Sequence, residues 1–341
     1  MVKLTLTELK VLAEKEHLND QKLQDFLDNG ASLGGDKREQ VMPYAGISTF
    51  LRAPLRENFD GTDIGLIGIP YDLGVTNRPG ARFGPQQVRE MSAMTNGPKN
   101  HASGIIPASL ARISDLGDVP INSTYDIDKA NNEIEQYFHQ IKDAGILPIA
   151  IGGDHSISYP ILKALGKNKP VGMIHIDAHA DTGGAFNGSK FHHGGPFRNA
   201  VLAGVLDPER TIQIGIRGRA EPHWDFSYDS GMRIIHIEEF YEMGIDEVIS
   251  EARRIVGFEE TYISFDVDSI DPAFTPGTGT PEVGGFLPRE VQALIRGLRG
   301  LNLIGADVVE VSPPFDQTGN TALVAATMLW ELLCIISEFK D

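Results

Sequence analysis

At 341 residues, 41% hydrophobic and 23% charged, the chain is long enough to bury a large core. Its net charge of −17 excludes the clustered Lys and Arg surface of a nucleic-acid binder and suits a cationic ligand or a metal. The single cysteine, Cys334, excludes an intrachain disulfide and a zinc site built from several thiolates.

Leu4 to Leu27 places Leu6, Leu9, Leu12, Leu23 and Leu27 at roughly helical spacing among charges, which predicts an amphipathic helix. Asn29-Gly30 and Gly34-Gly35 end it, so residues 1–45 read as an arm ahead of a main body over residues 46–341. Charges through the first 20 residues leave no apolar stretch for a signal peptide. Late in the chain, Ala322–Ile336 is broken by Glu331 and short for a bilayer. A soluble, cytoplasmic protein with no membrane and no nucleic-acid partner is expected.

From Asp63 onward, apolar runs alternate with helical periodicity. The runs are Ile64–Ile69, Gly145–Ile151, Val171–Ile176, Thr211–Ile216, Arg233–Ile237, Thr261–Phe265 and Leu303–Val309. A helix is predicted from Pro85 after the Gly-rich loop Gly74–Gly84. Others are predicted over Tyr125–Ala144, Asp246–Val256, Pro288–Leu298 and Thr321–Ser337. That alternation predicts an α/β fold with a mostly parallel central sheet, buried on both faces. In such sheets ligands bind beyond the carboxyl ends of the strands.

Three of those ends carry hard ligands: Gly152-Gly-Asp-His-Ser156, Asp177-Ala-His-Ala-Asp181 and Asp266-Val-Asp-Ser-Ile-Asp-Pro272. In extended backbone, residues i, i+2 and i+4 project to one side. Asp177, His179, Asp181, Asp266 and Asp268 therefore converge above the sheet, and His155 closes the set. Four carboxylates so crowded repel one another unless cations lie between them. Two imidazoles with four carboxylates suit a pair of Mn²⁺ ions, with Ni²⁺ as the alternative. Such a pair holds a hydroxide between its members and brings its pKa toward neutrality. His175, inside its strand, and Asp271, beyond the pair, are read as structural.

Those three segments resemble the signatures of the ureohydrolases, the family of arginase, agmatinase, guanidinobutyrase and guanidinopropionase. The resemblance runs from about Gly46 to the C-terminus and implies a single three-layer α/β/α domain, commonly assembled as trimers or hexamers. It implies that His155, Asp177, Asp181 and Asp266 hold one ion, and Asp177, His179, Asp266 and Asp268 the other. It also makes His193, in Phe191-His-His-Gly194, a proton shuttle to the leaving amine, and Glu310, in Val308-Val-Glu-Val-Ser312, the grip on the guanidinium. With His193 and Glu310, Asp181 completes the expected catalytic group. A guanidinium is a poor electrophile, so this chemistry needs a strong nucleophile, an acid titrating near neutrality and a fork-like carboxylate.

The loop Asp181–Gly194 resembles the agmatinase and guanidino-acid branch rather than arginase, and Arg82 and Asn187 join the expected substrate contacts. An ω-guanidino acid would want a cation at the mouth, from Arg78, Arg82, Arg217 or Arg219; agmatine would want acids, such as Glu221 or Asp225. Gly195 stands where the resembling proteins carry Thr, which opens atypical substrates: free guanidine, a biguanide or an alkylguanidine. Two competing readings are a silent subunit paired with an active paralogue and a different binuclear hydrolase on the same scaffold. All six ligands are present, which counts against the silent subunit.

Overall fold

A computed structural model describes residues 3–15, 45–94, 98–218 and 224–339. The apolar runs become strands: β1 Ile64–Ile69, β2 Ile113–Asp118, β3 Leu147–Gly152, β4 Val171–Ile176, β5 Leu206–Ile216, β6 Arg233–His236, β7 Thr261–Asp266 and β8 Leu303–Val309. They form one sheet in the order β2-β1-β3-β8-β7-β4-β5-β6. Every neighbouring pair is parallel, so the connections run through helices, and these cover both faces.

Side-chain alternation divides the core into two layers. Ile149, Ile151, Ile174, Ile176, Ile263 and Phe265 point to the side of the helices Ile245–Val256, Pro288–Gly297 and Asn320–Ser337. Ala150, Met173 and Tyr262 point the other way, toward the helices Ile127–Asp143, Ser158–Leu165 and Pro196–Leu202. The expected three-layer arrangement is thus what forms. The helix Asn320–Ser337 is apolar and long enough to cross a membrane by composition, but 78% of it is buried inside the protein. Glu331 is tolerated in it because Arg296, Gln292 and Asn100 all donate to its carboxylate and offset its desolvation.

One strand escaped the hydrophobic pattern. β2 reads Ile-Ser-Asp-Leu-Gly-Asp, and its Asp115 is buried. That carboxylate accepts the Phe50 amide at 2.9 Å and Arg89 Nε at 2.9 Å, so a polar residue occupies a core position with its bonds made. Of the arm, Leu6–Glu14 is helical behind a Thr5–Glu8 capping box, with no buried residue. The rest of the predicted arm helix, from residue 16 to Leu27, lies outside the described residues, as do Asn29-Gly30 and Gly34-Gly35.

The chain enters the sheet at β1, turns out to β2, returns to β3, and then leaves room for β8 and β7 before β4. The strand order reverses there, and in open parallel sheets the place for a ligand is beyond the carboxyl ends at such a reversal, here those of β3, β8, β7 and β4. Gly153 lets the chain leave β3 tightly. A Cβ there would lie 2.4 Å from the Tyr71 carbonyl oxygen and 2.7 Å from that of Ile69. Backbone cannot swing aside as a side chain can, so Gly153→Ala is expected to cost about 1–3 kcal/mol through forced displacement. Urea unfolding of the purified variant measures this, and wild-type stability would refute the tight exit.

Candidate metal centre

The register of the sheet brings the ligands together. Ile176 pairs with Phe265 across β4 and β7, so the next residues, Asp177 and Asp266, stand side by side at the same height. His155 opens a short 3₁₀ turn after β3, where the Asp154 carboxylate accepts the Ser156 amide. Its Nδ1 lies 2.9 Å from Asp181 Oδ2, 3.1 Å from Asp177 Oδ2 and 3.3 Å from Asp266 Oδ2. A second group forms around His179, whose Nδ1 is 3.1 Å from Asp268 Oδ2 and 3.6 Å from Asp177 Oδ1. Asp177 belongs to both groups, one oxygen in each. All six predicted ligands therefore meet in two adjoining donor sets.

Most of the site is buried, and its charges oppose one another. Burial, with repulsion from Asp268 and Asp177, holds the Asp266 carboxyl well above the carboxylate range. Burial and Asp177 push Asp268 up to about 6. Burial alone would lower the two imidazoles, yet the surrounding carboxylates raise both His155 and His179 well above the ordinary value. Asp177 goes the other way: burial opposes ionisation, but His175, His155 and His179 outweigh it and hold it well below the usual range. His155 Nδ1 is buried and makes no hydrogen bond, although three carboxylate oxygens lie within 3.3 Å. A nitrogen facing only acceptors, none placed to take a proton from it, fits a cation between them.

Beside this cluster, the carboxylate of Glu310 turns inward from the end of β8. Glu310 adopts φ 67°, in the left-handed region, and Asp181 φ 52°. Non-glycine residues rarely hold that conformation, and both are functional candidates. Glu310 Oε1 accepts the His155 amide at 2.8 Å and faces His193 Nδ1 at 2.9 Å. Glu310 Oε2 is buried and has no partner. A carboxylate only accepts, so His193 donates from Nδ1, and its Nε2 faces the Thr76 hydroxyl at 2.7 Å and amide at 3.2 Å. Burial lowers the His193 imidazolium, but Glu310 and then Asp154 raise it, to about 9 in all. The Thr76 amide hydrogen cannot turn away and works against a proton on Nε2.

Other predicted contacts have different surroundings. Arg82 pairs with Asp72. Arg217 donates to the carbonyls of Gly215, Asp268, Ser269, Glu282 and Val283. Arg219 and Glu221 lie outside the described residues, and Asp225 starts the helix Asp225–Ser230. Asn187, exposed at φ 47°, and Gly188 make the two-residue turn between Phe186 and Ser189. A Cβ on Gly195 would lie 3.1 Å from His192 Nε2, so an imidazole, not open space, takes the room of the absent threonine side chain.

Thr76 was not among the expected site residues, and His175, expected to be structural, holds its Nε2 2.7 Å from Asp177 Oδ2. The signal was present: His175 and Asp177 share a strand face, being two residues apart. Divalent cations entering this cluster must displace its protons. Manganese binding is therefore expected to release about one or more protons per ion, and affinity is expected to rise at least ~10-fold from pH 6 to pH 8. Titration in weak buffer with a pH dye, beside chelator competition at both pH values, checks this; affinity independent of pH would refute it.

Residues 62–334 match the sequence model of the arginase family. The chain is 51% identical over 302 residues to guanidinopropionase of Pseudomonas aeruginosa, covering 88% of this chain and 94% of that protein. It is 44% identical to the human mitochondrial guanidino acid hydrolase, over 88% and 86% of the two chains. Among solved structures, proclavaminate amidino hydrolase from Streptomyces clavuligerus superposes with a TM-score of 0.84 at 38% identity, over 87% of this chain and 99% of that one. With matching sequence, fold and a buried His/Asp cluster able to hold divalent metal, this chain belongs to the arginase family and is a hydrolase acting on amidines.

Proposed function

We propose that the chain cleaves an ω-guanidino carboxylic acid into urea and an ω-amino acid, with two manganese ions held by His155, Asp177, His179, Asp181, Asp266 and Asp268. Glu310 Oε2 carries this reading: it is a buried carboxylate oxygen without a partner, adjoining the ligand cluster. A planar guanidinium answers that need with a charge-assisted hydrogen bond. Mixed nitrogen and oxygen donors without a thiolate favour manganese, with nickel as the alternative. When bound, two such cations supply a deprotonated water at neutral pH.

The protein's own groups do the rest. Glu310 orients the guanidinium carbon toward the cluster while its other oxygen holds His193 Nδ1–H. As the bond from that carbon to the substituted nitrogen breaks, the leaving amine needs a proton; in its imidazolium form His193 carries a second proton on Nε2, which the Thr76 amide opposes, and that is the proton it delivers. A guanidinium on Oε2 competes for the same negative charge and so loosens the hold of His193 on its proton.

Arg78 supports a carboxylate-bearing substrate. It is exposed, its guanidinium lies 5.0 Å from the Phe315 ring centroid, and no carboxylate pairs with it among the described residues. A Cβ on Gly279 would lie 3.2 Å from the Arg78 carbonyl oxygen and 3.5 Å from Glu310 Oε2. The loop bearing Arg78 is thus close to the guanidinium seat. The names of the bacterial guanidinopropionase and the human guanidino acid hydrolase agree with this class. Assembly of copies as a trimer or hexamer is part of the same proposal and rests on membership of the arginase family.

Glu310→Gln is expected to lower kcat/KM for urea release by about 100-fold or more, since a charged acceptor is lost in a dry site. Arg78→Ala is expected to raise KM for guanidinobutyrate or guanidinopropionate about 10-fold and to leave agmatine no worse. A urea assay across these substrates decides. Agmatine as the preferred substrate of the wild type would overturn the acid reading while leaving amidine hydrolysis intact.

A further inference from the structure

Two residues behind the strand-end ligands, four polar side chains cross the sheet in one row. Gln213 of β5 pairs in register with His175 of β4, His175 with Ser264 of β7, and Ser264 with Asp307 of β8. All four are fully buried, and such groups are costly in a sheet core unless bonded. We propose that this row is a positioning layer: it fixes which lone pairs His155 and Asp177 turn toward the cations and so sets how tightly the site holds metal. The proposal rests on the binuclear-metal reading above.

One end of the row controls His155. The Asp307 carboxylate accepts Ser158 Oγ at 2.6 Å, Tyr262 OH at 2.9 Å and Ser264 Oγ at 2.7 Å. A hydroxyl has one proton, and Ser264 gives its proton to Asp307. Toward His155 Nε2, 2.8 Å away, Ser264 can therefore only accept. His155 must carry its proton on Nε2, which leaves the Nδ1 lone pair facing Asp177, Asp181 and Asp266. The same logic makes carboxylate or carbonyl partners orient metal-bound histidines generally.

The other end controls Asp177. Gln213 Nε2 donates to the Ala180 carbonyl at 2.5 Å and to His175 Nδ1 at 3.0 Å. A carbonyl only accepts, so the amide nitrogen and not its oxygen faces Ala180, and His175 Nδ1 is an acceptor. The His175 proton then lies on Nε2 and goes to Asp177 Oδ2, while the His179 amide donates to Asp177 Oδ1 at 2.6 Å. Each oxygen of Asp177 has one donor from His175 or His179 and keeps a lone pair for one cation, the arrangement a bridging carboxylate needs.

The test compares full-length wild type with Asp307→Asn and Gln213→Leu, each stripped with chelator and titrated with Mn²⁺ against a fluorescent chelator, with bound metal counted. Asp307→Asn keeps the shape but offers a donor, which frees Ser264 to give its proton to His155. Gln213→Leu removes the donor on His175 Nδ1. Both are expected to bind manganese about 10–100-fold more weakly while still taking two ions at saturation. Nitrogen NMR of labelled histidine, taken on stripped protein at a pH high enough to leave a single proton on the ring, is expected to find the His155 proton on Nε2 in wild type and on Nδ1 in Asp307→Asn. If that variant does not fold, Ser264→Ala, which removes the acceptor on Nε2, replaces it with the same expected loss of affinity. Affinity within twofold of wild type in either folded variant overturns the proposal, as does loss of a whole metal equivalent in Gln213→Leu, which would make His175 a ligand. A wild type that never holds two ions overturns the metal reading itself, and this inference with it.

Discussion

Four carboxylates forced into a nearly water-free space are the constraint on which this molecule depends. Two like charges 4 Å apart repel by roughly 4 kcal/mol even at an effective dielectric constant of 20. Asp177 and Asp266 stand side by side because β4 and β7 are parallel and in register, and Asp181 and Asp268 follow within four residues. Nothing local to either segment would hold these groups together. The apolar layers on both sides of the sheet do so, which is why a large core surrounds so small a cluster.

Strain appears where the core alone does not aim a side chain correctly. Glu310 and Asp181 both adopt left-handed backbone angles that glycine would hold more easily. At Glu310 that turn bends the carboxylate back to the His155 amide and His193, instead of letting it continue along β8. The cost, of order 1–3 kcal/mol for each such residue, is borne by the packed strands on either side.

Much of this was legible in the sequence, for identifiable reasons. β1, β4 and β8 are uninterrupted apolar runs and were bounded to the residue, and the i, i+2 spacing of the aspartates gave their common direction. β2 was illegible because its core positions include Ser114 and Asp115, whose bonding partners are far away in the chain. The short helices Ser158–Leu165 and Pro196–Leu202 lack enough turns to show a period. Thr76 reaches His193 across 117 positions, a contact no local pattern encodes. Arg82 looked available because sequence cannot display Asp72 beside it.

The candidate ligands and the loop residues around them have different mechanical supports. His155, Asp177, Asp266 and Glu310 ride on the tips of four adjacent strands, whereas Arg78, Gly279 and the Phe186–Ser189 turn lie in connecting loops. Loops accept insertion and replacement that a buried sheet does not. The surroundings of the buried cluster can thus be rewritten in its loops without rebuilding the strand tips beneath, so one scaffold can vary its periphery while its centre is inherited unchanged.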